Sequence, residues 1–459
     1  MERVDVAIVG GGPAGASAAH AAASRGASAL VLEKGVPRAD REGLGPDSTD
    51  AAGILDYWVD IMDIHPDEFP DGVFQQELDR AEFVGPTERC TLRATGIESS
   101  YDHFGFTMHR ARFDDFMRER AEEAGADYRV KASVKDVETD PGGDPRHVLL
   151  LGSGEEVGAE FLVLADGPQR TVTNRVLDDY LPADESASQR LASTRNNHIA
   201  YQEYRRFPRE VYEEVSGGIT FWWGVMPGHT AYPWVFPNAE RICRVGLTMP
   251  IGMDLDEVED RDQYALLRPE DDRIPTGKEY VRRLLEREYG DEYDVETDFP
   301  LVEDAGKARG TETYPISSTK PIESPVEAGV AVAGGAMGAT SAFHEGGDHV
   351  AVRTGAIAGE LAAAGDLSGY NERWHEAIGE EVLRNVAMAE MCRDFGPGDW
   401  DGIFRTGRKM LADEKGFGMF EQRFAAGFGA MKLLLTYRWN KWKLRDRRYV
   451  QLTADEYVY

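Results

Sequence analysis

The chain has 459 residues and carries 82 Asp+Glu against 51 Lys+Arg, a net charge of −31. That length asks for two or three domains rather than one simple core, and that charge argues against a nucleic-acid partner. Only 11 of the basic residues are lysine, and an acidic, lysine-poor composition points to a cytoplasm at very high salt, with an ordinary acidic enzyme as the alternative. Cys90, Cys243 and Cys392 stand far apart with no C-x-x-C pair, so no metal site, dithiol relay or disulfide framework is expected. No run of ~18 apolar residues suggests a membrane span. The chain opens directly on an apolar run, so a cytoplasmic protein without a signal peptide is expected.

Val4–Val9 reads as a buried strand, followed at once by Gly10-Gly11-Gly12-Pro13-Ala14-Gly15 and an alanine-rich helix. A second apolar run, Ser28–Leu32, ends in Glu33 and Lys34. This is the pattern of a dinucleotide-binding βαβ unit. Gly10 permits the tight turn, Gly12 lets backbone amides approach a pyrophosphate, and Gly15 lets helix and strand pack closely. Phosphates then sit at a helix N-terminus, where free N–H groups and the helix dipole favour negative charge, and Glu33 stands where a carboxylate can accept from ribose hydroxyls.

Residues 37–50 read as a polar loop. Phe113, Phe116, Met117, Ala121 and Ala124 recur at helical spacing before Gly125, Tyr128–Val137 alternates like one strand, and His147–Leu151 adds another. Phe161–Ala165 is a buried strand ending in Asp166-Gly167. From Ile199 to Met249 the chain is aromatic and strand-like. Residues 257–272 read as a solvated acidic insertion, Gly329–Ala333 returns to a buried strand, His349–Ala363 is a helix, and the last sixty residues look helical. The expected class is α/β: a Rossmann-like domain built from separated segments (1–185 and 318–385), an inserted antiparallel β-sheet substrate domain (186–317, with part of 80–110), and a C-terminal helical region (386–459).

Five segments together resemble the FAD-dependent oxidoreductases of the aromatic-hydroxylase plan, and within them the geranylgeranyl reductase family, over essentially the whole chain. The first is the N-terminal unit. In the second, His109-Arg110-Ala111-Arg112-Phe113-Asp114, the resemblance implies that Arg110 reaches the flavin pyrophosphate, and it places Val134 beside the adenine. The third, Ala165-Asp166-Gly167-Pro168, is similar to the family's Asp-Gly turn under the pyrophosphate and ribose. The fourth runs from Val332 to Gly355, where the family's ribityl-binding aspartate is replaced by Gly335 and its proline by Ala342, while Gly346-Gly347 still opens a helix toward the flavin ring. The fifth, Pro227-Gly228 followed by Tyr232-Pro233-Trp234-Val235-Phe236-Pro237, resembles the family's tunnel-wall signature.

Strand alternation puts Tyr232, Trp234 and Phe236 on one face, with Trp222 and Trp223 upstream as further wall candidates. Trp222-Trp223-Gly224 does not supply a flavin halogenase's tryptophan motif. The family cysteine after the second strand is missing from residues 43–50, which makes His344 and Glu345 the candidate catalytic proton donors. The resemblance implies FAD as cofactor, and because only one dinucleotide unit is present, with no separate nicotinamide domain, electrons are expected from NAD(P)H at the flavin face or from a ferredoxin-like protein.

The expected function is saturation of isoprenoid C=C bonds in a membrane lipid, the geranylgeranyl chains of archaeal ether lipids, by hydride transfer from reduced flavin. A prenylated quinone or carotenoid reductase, a flavin monooxygenase and a flavoprotein passing electrons to quinone stand as alternatives. Residues 432–448 hold seven basic side chains and one acid. With Phe420, Phe424, Phe428, Met431, Leu435, Trp439 and Trp442 at helical spacing, they suggest a peripheral contact with the inner face of the cell membrane.

Overall fold

The computed structural model of the chain describes residues 1–36, 52–180, 186–190, 197–306, 308–317, 321–411 and 428–445. The polar loop 37–50, the cysteine-free segment 43–50 within it, and Phe420, Phe424, Arg447 and Arg448 lie outside the described residues.

The first sheet has the strand order Asp127–Arg129, Ala29–Leu32, Glu2–Val9, Glu156–Leu164, His147–Leu151, Val134–Thr139, and Val330–Val332 also pairs with Glu156–Leu164. Glu2–Val9, Glu156–Leu164 and Val330–Val332 run parallel. Their C-terminal ends therefore meet on one edge, and they release the chain into Gly10, Ala165-Asp166-Gly167 and Gly334-Gly335 side by side. Ligands of open α/β sheets bind at such an edge. Gly10 sits at φ +99, and a Cβ there would lie 2.3 Å from the Ala165 carbonyl oxygen, so two of these turns touch through backbone alone.

The helices Pro13–Ala23 and Asp348–Ala363 pack against each other beside this edge. A Cβ at Gly355 would fall 2.0 Å from Ala14 O, and one at Gly359 would fall 2.1 Å from Ala18 O. The small-residue run that makes the first helix look featureless is what allows this approach.

The alternation of Tyr128–Val137 does not yield one strand. Lys131 turns at φ +56, and its N–H and that of Ala132 bond to Gly35 O and Glu33 O. The chain thus makes Asp127–Arg129 at one border of the sheet and Val134–Thr139 at the other. Local alternation carries no record of such a switch.

The second sheet runs Thr311–Ser317, Asn197–Arg206, Ile242–Pro250, Tyr232–Pro237, Gly218–Trp222, Arg80–Val84, Arg89–Leu92. It is antiparallel except where Gly218–Trp222 lies parallel to Arg80–Val84. The helix Gly277–Tyr289 covers one face, burying Tyr280, Val281, Leu284 and Leu285. A small third sheet, Gly53–Leu55, Gly105–Met108 and Phe74–Leu78, joins the first two. The acidic stretch 257–272 is partly anchored: Leu266 is buried, and Asp271 pairs with Arg283 at 2.6 Å.

His147, fully buried in the first sheet, has its ring nitrogens 2.9 Å from Thr139 Oγ1 and 3.2 Å from Gly329 O. Burial holds its pKa down at about 4 against an ordinary 6.5. The unfolded chain therefore takes up a proton that the folded one refuses. The stabilisation is complete above pH 6.5 and is lost as pH falls through the 6.5-to-4 window, with a slope of up to ~1.4 kcal/mol per pH unit. Urea midpoints measured from pH 7 to 4.5 are expected to fall less steeply in His147→Gln than in the wild type.

Candidate functional site

A cavity of about 1080 Å3 opens at the strand edge and runs into the second sheet. Its first end is backbone-rich and polar. Gly12, Pro13, Ala14, Lys34, Arg110, Asp166, Gly167 and Gly335 all line it. Gly12 precedes the first helix, which has no side-chain cap, and a Cβ there would meet nothing within 4 Å. Gly347 precedes the helix Asp348–Ala363, again without a side-chain cap. Two uncapped helix starts and an open space at Gly12 suit an anionic cofactor, so these residues fit an FAD pyrophosphate.

The charged residues around this end also have protein partners. Arg110 bridges two carboxylates, Asp114 and Asp348, each at 2.9 Å. Asp166 lines the cavity while its carboxylate takes the N–H groups of Val172 and Thr173 at 2.7 and 3.2 Å. Glu33 is not on the wall: its carboxylate accepts from Gly11 N at 2.7 Å and Gly35 N at 2.5 Å. Gly15 too stands behind the wall, where a Cβ would lie 1.9 Å from Gly10 O. Lys34 reaches Gln169 Oε1 at 3.2 Å. Val134 is buried in the core of the first sheet, away from the cavity lining. At Gly335 the wall has only backbone, next to Pro168.

The middle of the cavity is formed by the loop Thr340–Gly347. Ser341 Oγ accepts from His344 N at 3.1 Å, Ser341 O accepts from Glu345 N at 3.1 Å, and the Tyr232 hydroxyl donates to His344 O at 2.6 Å. A substrate-sheet tyrosine thus ties down a loop of the dinucleotide domain. Glu345 has φ +59, a strained value for a residue with a side chain. A Cβ at Gly346 would meet the Trp58 ring at 2.6 Å, and one at Gly347 would meet Thr340 Oγ1 at 2.9 Å, so packing demands both glycines.

His344 Nδ1 accepts from Gly346 N at 3.2 Å, leaving Nε2 3.8 Å from Glu381 Oε1. Glu381 is buried and accepts from Tyr57 OH at 3.2 Å, from Asn385 Nδ2 at 3.0 Å and from Arg384. His349 Nε2 lies 3.6 Å from Glu381, with its ring stacked on Trp58 at 3.9 Å between centroids. Desolvation holds His344 at about 4 and His349 well below 6.5, with the Arg384 charge adding to both. Both imidazoles are neutral at pH 7. Tyr57, Trp58, Glu381 and Arg384 are site residues that carried no motif. They come from two distant helices, and only tertiary packing brings them together.

The far end is aromatic and apolar. Tyr232, Trp234 and Phe236 all line it, as their alternation requires, together with Ile219, Phe221 and Trp223. Trp223 stacks on Tyr232 at 4.4 Å and on Phe343 at 5.1 Å between centroids. Trp222 is turned the other way, into the core with Val84 and Phe207. Adjacent strand residues face opposite sides, and the pairing of Phe221 with Trp234 gives the cavity side to Trp223. The cavity ends against the C-terminal helices, on Met388, Met391, Trp400, Leu433, Leu434 and Tyr437. In the helix Phe428–Arg445, Leu435, Trp439 and Trp442 are exposed. No helix among the described residues is long and apolar enough to cross a membrane.

The FAD binding domain family matches residues 5–42 and the tryptophan halogenase family matches residues 48–202. Digeranylgeranylglycerophospholipid reductase 2 of Methanothermobacter thermautotrophicus is 26% identical over 418 residues, covering 88% of this chain and 91% of that protein. The protein of the same name from Methanopyrus kandleri is 27% identical over 398 residues, covering 82% and 83%. Among solved structures, a geranylgeranyl bacteriochlorophyll reductase-like protein of Thermoplasma acidophilum superposes with a TM-score of 0.67 at 21% identity, covering 97% of this chain and 99% of its own. A flavin-dependent brominase superposes at 0.58 and 17%, covering 90% and 92%, and shares the fold. With those likenesses spread along most of its length and an FAD-binding unit at its start, the chain is an FAD-dependent oxidoreductase related to the geranylgeranyl reductases.

Proposed function

We propose that the protein saturates isoprenoid C=C bonds in the geranylgeranyl chains of a membrane ether lipid. The observation that carries this reading is one continuous cavity joining the dinucleotide loops to a chamber walled by Tyr232, Trp234, Phe236, Phe221 and Trp223. A prenyl chain entering that chamber gains ~0.8 kcal/mol per buried methylene, and aromatic walls fix its path without needing polar groups from it. Bound FAD supplies the two-electron reducing chemistry. The chain's own residues bind, orient and exclude water. Gly12, Arg110 and the two helix starts would hold the anionic part of the cofactor. The Tyr232 hydroxyl holds the loop carrying His344 and Glu345 against the chamber, and Phe343 and Trp223 close the apolar side. His344, a neutral imidazole, and Glu345 are the groups placed to handle a proton there.

The Phe428–Arg445 helix supports a membrane contact. Leu433, Leu434 and Tyr437 face the cavity while Leu435, Trp439 and Trp442 face outward, and Lys443 and Arg445 lie in its last turn. Such a helix can rest in a bilayer interface and pass a lipid chain inward.

One experiment tests both parts. Dithionite-reduced protein is mixed, without oxygen and at high salt, with vesicles containing a geranylgeranyl ether phospholipid. Flavin reoxidation should accompany a gain of ~2 mass units per double bond in the lipid, one two-electron reduction each. A Trp439→Ser/Trp442→Ser variant should lose vesicle binding and reoxidation, but not activity on detergent-dispersed lipid. Reoxidation only when oxygen is admitted would instead support oxygen chemistry at the same flavin, the reading favoured by the halogenase match over residues 48–202.

A further inference from the structure

His198 has no motif and lies on Asn197–Arg206 of the substrate sheet, yet its Nδ1 is in contact with Glu345 Oε1. Both side chains are almost fully buried, at 1% and 2% exposure. Among the described residues, no other side chain or backbone N–H serves either Glu345 oxygen, so this imidazole is the polar group in contact with the carboxylate. Thr248 Oγ1, 3.5 Å from the same Nδ1, is the ring's other polar neighbour. Glu345 lines the cavity and is held at φ +59, where a glycine would be unstrained. Two costs thus meet at one residue, a left-handed backbone and a buried carboxylate without a donor other than an imidazole. Strain of this kind persists where the surroundings impose it, and it collects at functional sites. A carboxylate oxygen and a ring nitrogen this close are joined by a charge-assisted hydrogen bond whenever one proton lies between them.

We propose that Glu345 and His198 form a proton-donating pair spanning the two domains, in which Glu345 delivers the proton that completes alkene reduction and His198 is its positioning residue. The proposal rests on the reductase reading above. In the step, the π bond would open with one carbon taking hydride, two electrons and one hydrogen, which bound reduced FAD would supply as it is oxidised. The other carbon takes a proton from the pair, which regains one from water. Tyr232 and His344 lie within electrostatic reach of Glu345, His229 within reach of His198, and Arg384 within reach of His344, whose Nε2 is 3.8 Å from Glu381. These are the charged and titratable neighbours that shape the pair's pH response.

The test uses the full FAD-loaded chain, reduced by dithionite and mixed anaerobically with vesicles of geranylgeranyl ether phospholipid, over a pH series. Glu345→Gln and His198→Gln are expected to keep wild-type FAD content and dithionite reduction, yet reoxidise about 100-fold more slowly or worse, the usual scale for a lost general acid. His198→Gln should also lose one limb of the pH profile. Glu345→Gly separates structure from chemistry: it relieves the strained backbone and should raise the urea midpoint while abolishing reoxidation. In the nitrogen NMR of histidine-labelled protein, a downfield Nδ1 proton is expected in the wild type and absent in Glu345→Gln. Wild-type reoxidation rates in both glutamine variants, or no such proton in the wild type, would overturn the pair. A wild type that fails to pass electrons to the alkene overturns the reductase reading and the proposal with it, so the two failures are told apart by the wild-type arm.

Discussion

Gly355→Val is expected to yield no folded, flavin-containing protein. The Cβ alone would lie 2.0 Å from Ala14 O and 2.8 Å from its carbonyl carbon. These are backbone atoms at the start of the first helix and cannot swing aside. Relief requires the helices Pro13–Ala23 and Asp348–Ala363 to separate, which opens the Rossmann core and moves both uncapped helix starts away from the cavity end. Even Gly355→Ala should cost about 3 kcal/mol, the upper range for overpacking a tight interior. Gly12→Ala is the contrasting case. Its Cβ meets no protein atom, so stability should match the wild type while FAD binding weakens, because the methyl enters the space kept for the cofactor. Urea midpoints and flavin content measured together would decide. A Gly355→Val protein with a wild-type midpoint and bound FAD would refute the close-packing argument.

Arg110→Ala is expected to weaken FAD binding about 100-fold, since one or two charge-assisted hydrogen bonds at ~1.5–3 kcal/mol each are lost. The arginine stands between Asp114 and Asp348, so its removal also leaves the cavity end more negative, against an anionic ligand. Arg110→Lys should recover part of the loss, because a point charge replaces a planar fork. Adding Asp348→Asn to Arg110→Ala should recover more, by removing one of the two repelling carboxylates. Titration of the apoprotein followed by flavin fluorescence quenching reads all three. A dissociation constant within twofold of wild type for Arg110→Ala would show that the helix starts alone hold the pyrophosphate.

These two residues differ in how far the chain itself discloses them. Arg110 belongs to a segment whose order of residues marks it, and the structure puts it at the cavity end. Gly355 looks in sequence like one small residue in a helix, and its necessity appears only when Ala14 is seen against it. The two tryptophans show the same division. In sequence both Trp222 and Trp223 are wall candidates, and the fold keeps only Trp223, because adjacent strand residues diverge and Phe221 pairs with Trp234. Glu33 shows a further limit. Its position at the end of the second strand is readable, whereas its engagement by Gly11 and Gly35 amides is a matter of folded geometry.

What the sequence determined by itself was everything encoded within a few residues: the turn Gly10–Gly15 between a strand and a helix, the Asp166-Gly167 turn, and the shared face of Tyr232, Trp234 and Phe236. Glycine's backbone freedom and the two-residue period of a strand are local properties, so they can be read along the chain. Tertiary structure alone decided the break at Lys131, the cluster of Tyr57, Trp58 and His349 around Glu381, and the contact of His198 with Glu345. Each of these joins segments far apart in sequence, or bends the chain to serve a distant neighbour. Burial and partner choice arise from packing and have no period to read.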